Sequence, residues 1–145
     1  MIGIVVTGHG RFAEGLTSAV ELIAGKQPSY ESVIFLEEKG PEALSEDLKV
    51  AINNVNTGDG VLVFTDLKGG TPFKEAVMIA TQQENVEVLT GTNLSMLLEA
   101  SLMRLGEPLL HDFALSLSET GASQVDLFDI ADLQRDDEIE DGDGI

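Results

Sequence analysis

The chain has 145 residues, contains no cysteine and carries a formal net charge of −18, from 8 basic and 26 acidic side chains. This length favours one domain with a core of its own. The lack of cysteine excludes disulfides, thiol catalysis and thiolate metal sites, and the charge disfavours binding to nucleic acid or an anionic membrane. No apolar segment is long enough to span a bilayer and no basic leader precedes the first strand, so we predict a cytoplasmic protein.

Short apolar segments alternate with helical patterns along most of the chain. Buried strands are predicted at residues 2–7, 32–36, 61–65 and 86–90, with a last short strand at 125–128. Helices are predicted at residues 12–23, 41–52, 72–81, 94–103 and 109–119. Phe73, Val77 and Ala80 form the predicted inner face of the third helix, and Thr71 is its predicted N-cap.

This alternation predicts an α/β fold, a doubly wound and mostly parallel sheet with helices on both faces. Ligands of such sheets bind at the carboxyl ends of the strands, where the strand order reverses. Two unusual loops follow strands, Thr-Gly-His-Gly at 7–10 and Asp-Leu-Lys-Gly-Gly-Thr at 66–71. If the first and third strands are neighbours, both loops meet at one crevice.

We divide the chain into a domain at 1–130 and an acidic C-terminal tail at 131–145. The stretch from Asp126 to Asp143 holds nine acidic residues and one Arg, a composition typical of a flexible tail. Its spacing lacks the closing Glu of an EF-hand loop, so we do not expect calcium binding there.

His9 is the candidate catalytic residue, because it stands between two glycines at the end of a buried strand. A nucleophilic imidazole needs one bare nitrogen, with the other held as N–H by an acceptor. A carboxylate does this best, since it also stabilises the charged ring. Asp66, directly after the third strand, is the candidate partner. The alternatives are a structural histidine and an ordinary turn aspartate.

The Gly-Gly-Thr-Pro sequence at 69–72 predicts a place for a phosphoryl group on His9. Glycines expose backbone N–H groups, and a helix N-terminus favours an anion. We therefore expect Gly10, Gly70 and Thr71 to bind the phosphoryl group, with the Thr71 hydroxyl as a donor. The loop lacks the Lys-Ser/Thr ending of a Walker loop, and simple turn formation is the alternative.

Arg11, Lys68 and Lys74 lie in or beside these loops and supply three of the eight basic residues. They predict a local patch for a phosphoryl group or an acidic partner face, the alternative being ordinary solvated charges. His111 lies far along the chain without a glycine setting and is interpreted as structural or surface. Two histidines without a third well-placed ligand predict no metal site.

At these residues the chain resembles a known family. Val-Val-Thr-Gly-His-Gly at 5–10 and Phe-Thr-Asp-Leu-Lys-Gly-Gly-Thr-Pro-Phe at 64–73 resemble the IIA component (EIIA) of the mannose-family phosphoenolpyruvate-dependent sugar phosphotransferase system. Gly-Thr-Asn-Leu-Ser-Met-Leu at 91–97 is similar to a further segment of that family. The resemblance covers roughly residues 1–130, and the two ordered motifs make it specific.

The resemblance implies that His9 accepts a phosphoryl group from the carrier HPr and passes it to the IIB component, which serves the membrane components IIC and IID. It implies that Asp66 holds the imidazole, that Thr71 helps bind the phosphoryl group and that no cofactor is needed. It further implies four parallel strands and a fifth, antiparallel strand exchanged in a homodimer, for which residues 125–128 are the candidate. Some members carry aromatics at the positions of Arg11 and Lys68, which predicts a different partner surface here.

Three other functions were weighed. A related phosphohistidine domain feeds dihydroxyacetone kinase and would share the fold and His9, but the Gly-Gly-Thr-Pro-Phe segment favours the sugar system. A receiver module phosphorylated on aspartate needs an acidic pair after the first strand, where this chain has Thr-Gly-His-Gly. A non-catalytic, flavodoxin-like binding or regulatory module would leave His9 without a role.

Overall fold

The computed structural model describes residues 1–135. One parallel sheet has the strand order β2-β1-β3-β4, with strands β1 (Gly3–His9), β2 (Tyr30–Phe35), β3 (Val61–Phe64) and β4 (Val86–Leu89). The helices are α1 (Phe12–Ala24), α2 (Pro41–Val55), α3 (Thr71–Gln82), α4 (Leu94–Met103), α5 (Leu110–Ser123) and α6 (Ile130–Arg135), with a 3-10 turn at Arg104–Gly106. None of the helices within this range is both long and apolar enough to cross a membrane.

The sheet is covered on both faces, which explains why its central strands are apolar throughout. Along β1, Ile4 and Val6 belong to one core cluster while Val5 belongs to the other, as the period of two in a strand requires. The first cluster packs α1, α4 and α5 on one face, and the second packs α2 and α3 on the opposite face. The predicted α/β doubly wound fold is confirmed.

The four parallel strands lie within two residues of their predicted ends. The inner face of α3 was predicted one residue too late, because its buried side chains are Pro72, Ala76 and Ile79. Both sets follow the same i, i+4, i+7 spacing, so periodicity alone did not separate two adjacent stripes. Thr71 is the first helical residue and Gly70 is the N-cap, so the predicted N-cap was also one residue late.

Residues 125–128 do not form a strand within the single chain. Val125, Leu127 and Phe128 are largely exposed, and no other strand of the described residues pairs with this segment. Its pairing with a second copy stays a prediction. Helix α6 lies at the start of the predicted acidic tail, and the rest of that tail, residues 136–145, lies outside the described residues.

Candidate active site

The two unusual loops meet at the carboxyl end of the sheet. His9 is the last residue of β1, and Asp66 comes two residues after the end of β3. The strands β1 and β3 are neighbours, and the chain leaves them in opposite directions, towards β2 and towards β4. His9 therefore stands where the strand order reverses, which is the position that binds ligands in open α/β sheets.

One carboxylate oxygen holds both the main chain and the ring of His9. Asp66 Oδ2 accepts the His9 backbone N–H at 2.8 Å and lies 2.8 Å from the ring Nδ1. Because an ionised carboxylate only accepts, Nδ1 carries the proton and Nε2 keeps a bare lone pair. The His9 side chain is 48% exposed and that of Asp66 is 14% exposed, so an oriented imidazole faces solvent on a buried support.

Asp66 is held in its charged form by His9. Partial burial by itself would raise the pKa of Asp66, but the backbone and ring N–H groups of His9, with help from the Leu67 amide, outweigh it. The pKa of Asp66 therefore lies below its ordinary value. A carboxylate that remains ionised is able to stabilise positive charge on the imidazole.

Two glycines make room for this pair. A Cβ on Gly8 would lie 2.5 Å from the Phe12 ring and 2.9 Å from Cγ of Asp66. A Cβ on Gly70 would lie 2.7 Å from Cε1 of His9. All three distances are shorter than real contacts allow, so only glycine permits Asp66 and the β3–α3 loop to approach the histidine this closely.

Gly10 and Phe35 form a support that the sequence did not reveal. Gly10 has a left-handed φ of 58°. Its N–H donates to the Phe35 carbonyl at 2.7 Å, and its carbonyl accepts the Phe35 N–H at 3.2 Å. The bridge places the Phe35 ring edge-on to His9, with ring centroids 6.0 Å apart. The available signal was an aromatic residue near the end of the second predicted strand, whose neighbour in the sheet was not predicted.

The amides of Gly10 and Gly70 both have backbone partners in the unphosphorylated chain. The Gly10 N–H is engaged by Phe35, and the Gly70 N–H donates to the Leu67 carbonyl at 3.0 Å. Each of these bonds closes a turn of its own, and binding of a phosphoryl group by the two amides stays a prediction. Gly70 also contributes space beside His9, and Gly10 contributes a backbone conformation.

The start of α3 retains open donors beside the histidine. The first helical bond back runs from the Lys74 N–H to the Gly70 carbonyl at 2.9 Å. The N–H groups of Thr71 and Phe73 come before that bond and have no acceptor within the helix. Pro72 has no N–H to donate. The Thr71 hydroxyl is part of this helix start and makes no hydrogen bond with any other described residue.

Arg11, Lys68 and Lys74 are all exposed. Arg11 forms an ion pair with Glu14 at 2.9 Å, so its charge is partly compensated. Lys68 lies in the β3–α3 loop and Lys74 in the first turn of α3, the two segments that carry Asp66 and Thr71. His111 pairs with Glu87 at 2.8 Å on the surface, near the opposite end of the sheet.

The fold and this site define an α/β protein that presents an aspartate-held histidine at the carboxyl end of its sheet. The family described as "PTS system fructose IIA component" matches residues 3–116. The mannose-specific EIIAB component of Escherichia coli K12 is 32% identical over 124 residues, which cover 86% of this chain and 38% of that protein. The sorbose-specific EIIA component of Lacticaseibacillus casei is 29% identical, over 80% of this chain and 91% of that protein.

Solved structures agree with these relatives. The EIIA component from Streptococcus agalactiae superposes with a TM-score of 0.81 at 30% identity, covering 91% of this chain and 99% of that one. The mannose/sorbose-specific IIA subunit from Enterococcus faecalis gives a TM-score of 0.80 at 27% identity, with 88% and 95% coverage. The chain belongs to the mannose-family IIA components of the sugar phosphotransferase system. It spans well under half the length of the mannose-specific relative, which is an EIIAB protein.

Proposed function

We propose that this chain is a phosphocarrier in which His9 takes a phosphoryl group from phospho-HPr and passes it to a IIB component for sugar uptake. The observation that carries the proposal is the geometry of His9, whose Nδ1 lies 2.8 Å from a carboxylate while half of the side chain is exposed. A carrier has to meet two proteins in turn, so a shallow, solvent-facing histidine suits it better than an enclosed pocket would.

The transfer is a substitution at phosphorus. The Nε2 lone pair of His9 forms the new N–P bond as the N–P bond of the donor histidine breaks, and that electron pair returns to the donor imidazole. The His9 ring gains positive charge during this step, and the Asp66 carboxylate stabilises it through the Nδ1–H bond. The second transfer, to IIB, is the same step with His9 as the leaving group.

Charge on the phosphoryl oxygens requires donors, and the start of α3 supplies them. We assign this role to the Thr71 hydroxyl and to the open amides of Thr71 and Phe73, whose helix end also favours an anion. Exposed Lys68 and Lys74 extend the positive side of the site and are suited to an acidic partner face. Arg11 is assigned to the same partner surface.

The remaining parts of the proposal concern the protein's setting. We place the chain in the cytoplasm as a homodimer, working with membrane-bound IIC and IID through IIB. The names of the relatives favour the sugar system over delivery to dihydroxyacetone kinase. A non-catalytic regulatory module has no use for the His9–Asp66 pair.

Intact-mass analysis tests the function. The chain and its His9→Gln variant are each incubated with phosphoenolpyruvate, enzyme I and HPr. We expect wild type alone to gain one acid-labile phosphoryl group. No gain in wild type, with HPr itself phosphorylated, would contradict the proposal, and an equal gain in His9→Gln would remove His9 from it.

A further inference from the structure

The loop after β4, residues 90–93, carries hydrogen-bond donors that reach the backbone on both sides of Asp66. Its Gly91 N–H donates to the Asp66 carbonyl at 2.9 Å. The next residue, Thr92, donates twice to the Thr65 carbonyl, from its N–H at 3.2 Å and from its hydroxyl at 2.7 Å. Consecutive donors of one loop thus meet consecutive carbonyls of the other.

These contacts fix the two peptide planes that join at the Asp66 Cα. The Thr65 carbonyl belongs to the plane before Asp66, and the Asp66 carbonyl belongs to the plane after it. A peptide unit is rigid, so holding both planes sets the two backbone dihedrals of Asp66. Those dihedrals fix the direction of the Cα–Cβ bond and restrict the rotamers that the Asp66 side chain adopts.

The two hydrogen bonds from Thr92 to the Thr65 carbonyl lie in a buried part of the protein, where hydrogen bonds are strong. Thr65 is fully buried and Thr92 is 8% exposed, so water does not compete for the Thr65 carbonyl. Gly91 has a left-handed φ of 66°, a conformation that turns its N–H towards the same loop and that a side chain would strain. The conformation of Gly91 and the burial of Thr92 thus both favour the hydrogen bonds between this loop and the backbone at Thr65 and Asp66.

We propose that Thr92 is a positioning residue for Asp66, and through Asp66 for His9. It touches neither the histidine nor any reacting atom described above. Its hydroxyl holds the Thr65 carbonyl, and thereby holds Asp66 Oδ2 where it accepts both N–H groups of His9. This inference rests on the proposed function for its effect on phosphoryl transfer, but its effect on the histidine ring stands independently.

Thr92→Val tests the proposal, because valine keeps the shape and the backbone N–H but has no hydroxyl to donate. Thr92→Ser restores the donor. Thr90→Val is the matched control, since the Thr90 hydroxyl is buried two residues earlier and has no hydrogen-bond partner among the described residues. The melting temperature of each variant shows that the folded proteins are compared.

The first measurement is the NMR signal of the His9 ring N–H in the unphosphorylated protein. We expect the Nδ1–H proton to shift upfield and exchange faster with water in Thr92→Val, and to return towards wild type in Thr92→Ser. Thr90→Val is expected to match wild type. The second measurement is the single-turnover rate of phosphorylation by phospho-HPr, which we expect to fall about 3- to 10-fold in Thr92→Val only.

A wild-type ring signal and rate in Thr92→Val would overturn the proposal, and so would a Thr92→Ser variant that restores neither. An equal change in Thr90→Val would show a general effect of loop packing and would also overturn it. If wild type itself takes no phosphoryl group, the proposed function fails, while the ring signal of the unphosphorylated protein still decides the role of Thr92.

Discussion

Asp66 uses one oxygen, Oδ2, for both of its bonds to His9, while Oδ1 is buried and has no hydrogen-bond partner within residues 1–135. In Asp66→Asn, the amide oxygen is able to take the place of Oδ2. The variant therefore keeps an acceptor for the ring but loses the negative charge that stabilises it. This separates orientation from electrostatics at the level of a single atom.

We expect Asp66→Asn to slow phosphoryl transfer at least about 10-fold, because hydrogen bonds to charged groups are roughly twice as strong as neutral ones. The melting temperature is expected to change much less than the rate. Quenched-flow transfer from phospho-HPr measures the first quantity and thermal unfolding measures the second. A normal transfer rate in this variant would remove Asp66 from the mechanism.

The lowered pKa of Asp66 also predicts a pH dependence of stability. Above the ordinary carboxyl range Asp66 is ionised whether the chain is folded or not, and its bonds to His9 stabilise the fold. As the pH falls through that range the unfolded chain takes up the proton first, so this contribution is progressively lost. The difference in unfolding free energy between wild type and Asp66→Asn should shrink from about pH 5 to about pH 3, where carboxylates rather than imidazoles change charge.

Urea unfolding of both proteins across that range measures this difference, and the comparison cancels the titration of the other carboxylates. A difference that stays constant or grows towards acid would show that Asp66 is not stabilised in its ionised form.

At the scale of elements, α3 and α2 begin in the same way, and the pair provides a matched test. Gly70 and Gly40 are both N-caps with a proline close behind. Pro41 comes one residue after Gly40, and Pro72 comes two residues after Gly70. Their backbone angles are nearly identical, with φ −73° and ψ 167° for Gly70 and φ −76° and ψ 166° for Gly40. A Cβ on Gly70 would meet His9, whereas one on Gly40 would meet nothing within 4 Å.

We expect Gly70→Ala to lower the transfer rate about 10- to 100-fold, because a displacement of about 1 Å at a reacting group has that effect. Gly40→Ala changes the same kind of cap and should leave the rate within about twofold. Single-turnover kinetics of the two variants checks this. Equal rates in both would show that the close approach of Gly70 to His9 has no role in transfer.

The elements themselves were largely predictable, and the errors have a common physical origin. Apolar runs between turn residues located β1 and β3 because strands buried on both faces leave no other choice of residue. The inner face of α3 was misplaced because partly buried Phe73 and Val77 lie next to the buried stripe. The backbone partners of the Gly10 and Gly70 amides were not predictable, because sequence does not show which carbonyl closes a turn.

At the scale of the whole molecule, function and stability are concentrated at opposite ends of the sheet. Arg104 is fully buried and donates to the carbonyls of Ile2, Pro28 and Ser29 and to the Gln27 side chain. These acceptors surround the starts of β1 and β2, about 20 Å from His9 along a seven-residue strand. Burial lowers the pKa of Arg104, and the acceptors compensate for its desolvation.

Replacing Arg104 with Met should lower the free energy of unfolding by roughly 3 kcal/mol, because several buried carbonyls lose a charged donor. The transfer rate of the folded variant should remain within about twofold of wild type. Urea unfolding and single-turnover transfer, measured below the unfolding transition, provide both numbers. A variant of normal stability, or a folded variant with slow transfer, would contradict this separation.

Arg104 was not predictable from the sequence. It ends an apolar helix, a position where a basic residue is normally exposed, and its partners lie more than 70 residues earlier in the chain. The His9–Asp66 pair was predictable because both residues lie at the carboxyl ends of buried parallel strands, and such ends meet at one edge of the sheet. The end of a strand in a parallel sheet thus predicts where a residue lies, whereas the end of a helix does not.

The central claim is that Asp66 holds Nδ1 of His9 and leaves Nε2 as the nucleophile. The most direct test is ¹⁵N and ³¹P NMR of the phosphorylated, ¹⁵N-histidine-labelled protein, which distinguishes the two ring nitrogens and the two histidines, His9 and His111. We predict one phosphoryl group on Nε2 of His9, with the Nδ1 proton retained. A phosphoryl group on Nδ1, or on His111, would contradict the account.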